Sequence, residues 1–419
     1  MIKSMKLNCG AEVVMEKIPY VRSTSVGVWV KVGSVNETKR DYGISHFIEH
    51  MMFKGTPTRS AREIAADIDR IGGQINAFTS KENTCYYVKA LDSSIETAIE
   101  VLCDILFHSV FDEVELEKER RVIYEEINMH DDSPEDVIHD LFYSTIFHDN
   151  PLGTPVLGTK EILSKLTRDD LKDYVENNYT VGNVVISIAG NFDEEKIVEV
   201  LESNFKELSK HQQKVVAFPL EYVPKCIYQE RDIEQVHLNM GIRGMKLGDD
   251  LHYAYSIVSN ILGGSMSSRL FQSIREEKGM AYAVYSYLSA YTADGTFTIY
   301  AGVGQENLPH TVELIIQQLS LLKKQGILEE EFLAAKEQLK SSYIFSLESV
   351  SSRMASIGKS QLLLKECYEP EEALKKITDV NMEQIEEVIN LFTDLDKYTV
   401  VALGRKAIDL KEVIDKART

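Results

Sequence analysis

Apolar residues alternate with small or polar ones through "STSVGVWVKVGS" (23–34), the two-residue period of a strand with one face on a core. The period lengthens in "SAREIAADIDRIGG" (60–73), where Ile64, Ile68 and Ile71 recur at helical spacing and a closing Gly pair suits a C-cap. Between the two lies another helical stretch, "GISHFIEHMMFKGT" (43–56), largely apolar but carrying His46, Glu49 and His50. "INAFTSKENTCYYVKAL" (75–91) reads as a hairpin around a polar turn. Helical patterns follow near 94–108 and 113–130 and continue to about 178, before the strand "NVVISIAGNF" (183–192).

The second half repeats this order. "QVHLNMGIRG" (235–244) is a strand, "LHYAYSIVSNILGG" (251–264) a helix, and "AYAVYSYLSAYTADGTFTIYAGV" (281–303) a hairpin. Two long helices, "ENLPHTVELIIQQLSLLKKQG" (306–326) and "EEEFLAAKEQLKSSYIFSLES" (329–349), precede a closing strand, "KYTVVALG" (397–404). A repeat of roughly 210 residues is too long for a solenoid and points to a duplicated domain. The joint is expected in "KELSKHQQKVVAFPLEYVPKC" (206–226), polar and then proline-bearing, which divides the chain into domains 1–220 and 221–419. Hairpins separated by helices, without strict strand-helix alternation, give an α+β class: two homologous domains, each a largely antiparallel sheet packed with helices.

Composition narrows the function classes. The 419 residues are 44% hydrophobic and 27% charged, as in a folded globular chain. A formal charge of −20, from 66 acidic against 46 basic residues, argues against nucleic acid as a partner and permits cationic peptides, although a solvated acidic surface alone also produces it. The five scattered cysteines include no CxxC pair and read as reduced thiols. "MIKSMKLNCGAEVVMEKIPY" has no signal-peptide core, and no later run approaches about 18 apolar residues. A cytoplasmic protein without a membrane partner is expected.

Candidate chemistry lies in the interrupted helix. His46 and His50, four apart, share a helical face, and Glu49 lies on nearly the same face. Such a pair suits zinc, which in catalytic sites takes three protein ligands and an open position for water. HxxEH is the inverzincin order of the zincin motif. A third ligand is sought in "VELEKERRVIYEEINMH" (114–130), where Glu119 and Glu126 are seven positions apart (126 − 119) and share a face. Glu125 is rotated roughly 100° away. Glu126 is the candidate ligand and Glu119 its support, although a run so rich in Glu, Lys and Arg also reads as a solvated face.

"HFIEHMMFKGT" with a glutamate 76 positions after the second histidine (126 − 50) resembles the pitrilysin-type inverzincin metallopeptidases. The likeness runs through "GGQINAFTSKENTCYYVKAL" and "EKERRVIYEEI" into "SSRLFQSIREEKGMAYAVYSY", nearly the whole chain. It is most similar to short bacterial members and to the catalytic subunit of the mitochondrial processing peptidase. The resemblance implies His46, His50 and Glu126 as zinc ligands, Glu49 as catalytic base and Glu119 as the supporting carboxylate. It also implies Asn76 and Ala77 on a substrate-binding edge strand and Phe53 as an apolar wall for the side chain after the scissile bond. Arg275 and Tyr282 match a catalytic pair that hydrogen-bonds the substrate or the developing oxyanion. The implied activity is zinc-dependent endopeptidase, acting on peptides or unfolded protein in a chamber formed by a homodimer. "ILGGSMSSRLF" is not notably glycine-rich, unlike the glycine-rich loop of the mitochondrial enzyme's partner subunit. A competing reading is a non-catalytic scaffold or peptide-binding subunit, since the family also holds respiratory-complex core subunits that lost the ligands.

Overall fold

The computed structural model describes residues 1–206, 208–209 and 222–418; most of the joint expected around residue 220 lies outside them. The alternating stretches fold as strands. One sheet is built from β1 (Ile2–Lys6), β2 (Glu12–Lys17), β3 (Ser23–Val30), β4 (Gln74–Thr79), β5 (Thr84–Leu91) and β6 (Val184–Gly190). Their order is β1-β2-β6-β3-β5-β4, with β2 and β6 parallel and every other neighbouring pair antiparallel. The other sheet contains β7 (Cys226–Glu230), β8 (Gln235–Arg243), β9 (Ala281–Ala290), β10 (Gly295–Gly304) and β11 (Thr399–Gly404). Its order is β7-β11-β8-β10-β9, with β7 and β11 parallel and the rest antiparallel. The strands β2, β6, β3, β5 and β4 thus correspond in order to β7, β11, β8, β10 and β9, down to the single parallel pair. The expected duplication and α+β class are both present.

Helices fill the connections. Those of the first half that bear on the site are α1 (Ile44–Met52), α2 (Ala61–Arg70), α3 (Ile95–His108), α4 (Glu113–Asp132) and α5 (Pro134–Ile146). The helix expected at 251–264 is α-helical only over His252–Ser259 and widens into a π turn at Asn260–Gly264. Gly263 lets that turn pack close on β9, because a Cβ there would lie 2.5 Å from the backbone nitrogen of Ser286.

The described chain divides into two compact units, each assembled from three segments. Met1–Met129, Thr154–Phe218 and Ile344–Glu369 make up the first; His130–Gly153, Pro219–Tyr343 and Pro370–Thr419 make up the second. Each unit therefore takes one helix from the opposite half of the sequence. Helix α5 packs on β8 and β11 in the second unit, while the helix Val350–Leu363 packs on β2, β3 and β6 in the first. The latter seats closely because Gly27 faces Met354 and Gly358 faces Trp29, where a Cβ would overlap the neighbour. Trp29 Nε1 donates to Ser187 Oγ at 2.8 Å, and Arg353 makes a two-pronged pair with the buried Glu16.

In the first unit, buried residues of the sheet and of α1 to α4 belong to one apolar cluster. Phe47, Ile48, Met51 and Met52 of α1 share one buried cluster with Leu116, Ile123 and Ile127 of α4. Burying those faces presents the remaining faces of α1 and α4 to each other.

Candidate metal centre

Helix α1 begins at Gly43, whose φ of 92° is left-handed and whose Cβ would lie 2.8 Å from the Leu157 carbonyl. No side chain of the usual capping position closes its first turn. Glu37 does so from six residues upstream, accepting from the Gly43 and Ser45 backbone N–H groups at 2.7 and 3.0 Å. Burial pushes the Glu37 carboxyl up to about 7, against the pull of those hydrogen bonds.

The apolar residues of α1 leave His46 and His50 on the face toward α4, with Glu49 beside them and bonded to β4. His46 Nε2 lies 3.6 Å and His50 Nε2 3.5 Å from the same oxygen, Oε2 of Glu126. All three donor atoms lie within 4.8 Å of one another, and among the described residues no other group of three His, Cys, Asp or Glu side chains converges so closely. Glu126 Oε2 is buried without a hydrogen-bond donor among the described residues, as is His46 Nδ1 without a partner. An uncompensated carboxylate oxygen of this kind costs about 1–3 kcal/mol or more, and a cation between the three side chains removes that cost. Burial, with a smaller contribution from His50, holds the His46 imidazole down at about 3, so it is neutral and has a lone pair to give. Two imidazoles and a carboxylate at this spacing fit a divalent ion such as zinc.

Glu119 and Glu126 do share one face of α4, whereas Glu125 is exposed and accepts from Asn128 at 3.3 Å. Glu119 Oε2 lies 3.1 Å from His50 Nδ1, and its other oxygen is 2.7 Å from Lys54 Nζ. An Nδ1–H donated to Glu119 leaves the His50 Nε2 lone pair directed toward Glu126. Lys54 was not singled out in the sequence; the only signal for it is a cation four residues beyond a candidate ligand.

Glu49 Oε2 accepts from Thr79 Oγ1 at 2.5 Å, so Thr79 is a second residue that the motif alone does not reveal. Burial pushes the Glu49 carboxyl up, the Thr79 bond and His50 oppose the rise, and the Glu126 charge adds to it. Thr79 ends β4, which among the described residues sits at the sheet edge and pairs only with β5. Asn76 and Ala77 lie mid-strand: Asn76 is exposed and Ala77 half-buried against the core. Phe53 ends α1 and is likewise half-buried against that core. Arg275 and Tyr282 belong to the second unit, with the guanidinium carbon 5.4 Å from the Tyr282 ring centre and 4.8 Å from that of Phe271. Tyr282 is 80% exposed.

Comparison with known proteins gives the chain a family. Residues 12–160 match the family model described as insulinase (peptidase family M16), and residues 165–339 the one described as peptidase M16 inactive domain. The uncharacterized zinc protease YmxG of Bacillus subtilis is 45% identical over 398 residues, covering 94% of this chain and 96% of that protein. A zinc protease of Rickettsia felis is 37% identical over 398 residues, with the same coverage of 94% and 96%. In fold, a protease from Helicobacter pylori superposes with a TM-score of 0.88 at 24% identity, covering 96% of this chain and 99% of the other. A structure described as the peptidase M16 inactive domain from Pseudomonas fluorescens gives 0.91 at 19% identity, covering 98% and 99%. Two domain matches spanning most of the chain, and relatives aligned along nearly their whole length, make it a member of peptidase family M16, the pitrilysin type, alongside the family's short bacterial members.

Proposed function

We propose that the chain is a zinc endopeptidase that hydrolyses peptides and unstructured protein segments bound as an extended strand. One observation carries the reading: a buried, donorless Glu126 oxygen faces two imidazole nitrogens, with a burial-raised Glu49 carboxyl beside them. The names of the relatives support zinc as the ion. Held by His46, His50 and Glu126, zinc supplies a Lewis acid for the scissile carbonyl and makes the attacking water more acidic.

The chain's own residues do the rest. Glu49 takes the proton of the attacking water and returns it to the leaving amine. Glu119, held by Lys54, keeps His50 in the ligating tautomer. Along β4, whose outer edge has no partner strand among the described residues, main-chain hydrogen bonds receive the peptide without demanding a particular side chain. Asn76 and Ala77 lie on that edge, and Phe53 provides an apolar wall. Arg275 and Tyr282 are assigned to hydrogen-bonding the substrate. The reading includes a homodimer in the cytoplasm. Among the described residues no helix is long and apolar enough to cross a membrane.

A scaffold reading leaves the buried Glu126 oxygen uncompensated. Replacing the base tests the choice: Glu49→Gln is expected to retain zinc and to lose about 100- to 10,000-fold in cleavage of an unstructured peptide. Unchanged cleavage by that variant overturns the mechanism.

A further inference from the structure

Thr79 commits its hydroxyl hydrogen to Glu49, beside a second threonine whose own hydrogen is committed elsewhere. Its Oγ1 donates to Glu49 Oε2 at 2.5 Å and lies 3.5 Å from Thr84 Oγ1, which donates to the Val32 carbonyl at 2.9 Å. Thr79 and Thr84 form the last pair of the β4–β5 hairpin, and Ser80 N–H closes the turn onto the Asn83 carbonyl at 2.8 Å.

The tip of that hairpin is held by the segment leading to α1. Ser34 and Val35 donate their backbone N–H groups to the carbonyls of Ser80 and Lys81 at 3.3 and 2.9 Å. Gly33 packs so closely on the same two carbonyls that a Cβ would overlap them. Two residues beyond Val35, Glu37 receives the Gly43 and Ser45 N–H groups. One short segment, 33–37, therefore fixes both the end of β4 and the start of the helix carrying Glu49. The separation of the Thr79 hydroxyl from the Glu49 carboxylate is set by backbone hydrogen bonds at the hairpin and by the Glu37 carboxylate at the helix start.

We propose that Thr79 is the positioning residue of the Glu49 base, holding one carboxylate oxygen so that the other faces the attacking water. This rests on the peptidase reading for its catalytic consequence, but not for its geometry. A further consequence concerns the edge strand. The hydroxyl belongs to β4, so a peptide pairing along that edge adds hydrogen bonds to the strand that orients the base. Binding and base alignment are thereby coupled.

The test compares wild type, Thr79→Val and Thr79→Ser in the full-length, zinc-loaded protein, using a pool of unstructured quenched-fluorescent peptides and a crystal structure of each form. Valine keeps the shape of threonine and removes the hydroxyl; serine restores it. Thr79→Val is expected to keep its zinc and its KM and to lose about ten- to a hundredfold in kcat, the effect of one hydrogen bond to a charged group. Thr79→Ser is expected within about threefold of wild type, and the Glu49 carboxylate is expected to leave its wild-type position only in the valine variant. An unmoved Glu49 in Thr79→Val overturns the proposal whether or not the protein cleaves peptide. Full kcat in Thr79→Val, or equal loss in Thr79→Ser, overturns it too. If wild type cleaves nothing while Glu49 moves in the valine variant, the peptidase reading fails and the positioning role stands.

Discussion

Glu119 has a cation on one oxygen and a ligand imidazole on the other, and it is only 6% exposed. A glutamine in its place would turn a donor toward either Lys54 or His50. We expect Glu119→Gln to lower zinc affinity about 10- to 100-fold, measured by competition with a chelating dye. Unchanged affinity would remove Glu119 from the site. That His46 and His50 share a face, and likewise Glu119 and Glu126, was legible in the sequence because helical periods are fixed and the pairs are four and seven positions apart. That the Glu-rich run supplies a ligand and is not merely a solvated face came from the family resemblance. The spacing also separated Glu126 from its neighbour Glu125, which the structure leaves in solvent. Lys54 and Thr79 were not legible. Their contacts depend on how a helix end and a hairpin end meet another element, and no period in the local sequence encodes that.

At the scale of elements, Glu37 is the unexpected part of α1. Sequence patterns for helix starts look for Ser, Thr, Asp or Asn immediately before the first turn, whereas this cap comes from six residues upstream. Its titration has a definite sign. The unfolded chain releases the proton near the ordinary value of 4.5, and the folded state keeps it up to about 7. Between these values the folded state binds more protons, so the stability Glu37 contributes is full below about 4.5 and is lost as the pH rises through about 7. Glu37→Gln removes this titration. The stability deficit of the variant relative to wild type, from denaturant unfolding, is therefore expected to be larger at pH 5 than at pH 8 by about 1–3 kcal/mol. A difference that does not change with pH would assign the group no titration in this range.

At the scale of the whole molecule, the duplication was legible as a repeated order of elements along the chain, but the order of strands within each sheet and the exchanged helices were not. An amphipathic pattern shows that one face of α5 or of Val350–Leu363 is buried, without naming the sheet that buries it. Gly358 tests the seating of the second helix. In an exposed helix, Gly→Ala adds about 1 kcal/mol of stability through propensity. Here the new Cβ would overlap the fully buried Trp29 and the Ser187 hydroxyl, and overpacking costs about 1–3 kcal/mol. Gly358→Ala is therefore expected to lower stability in urea unfolding, and a gain would mean that the helix does not sit tightly on β3 and β6. The central claim is that His46, His50 and Glu126 hold a zinc ion on which peptide hydrolysis depends. Its most direct test measures metal content and cleavage of an unstructured peptide pool before chelation, after it, and after return of zinc. The expected result is equimolar zinc, cleavage that disappears with the metal, and recovery when zinc is restored; full cleavage by the metal-free protein would contradict the claim.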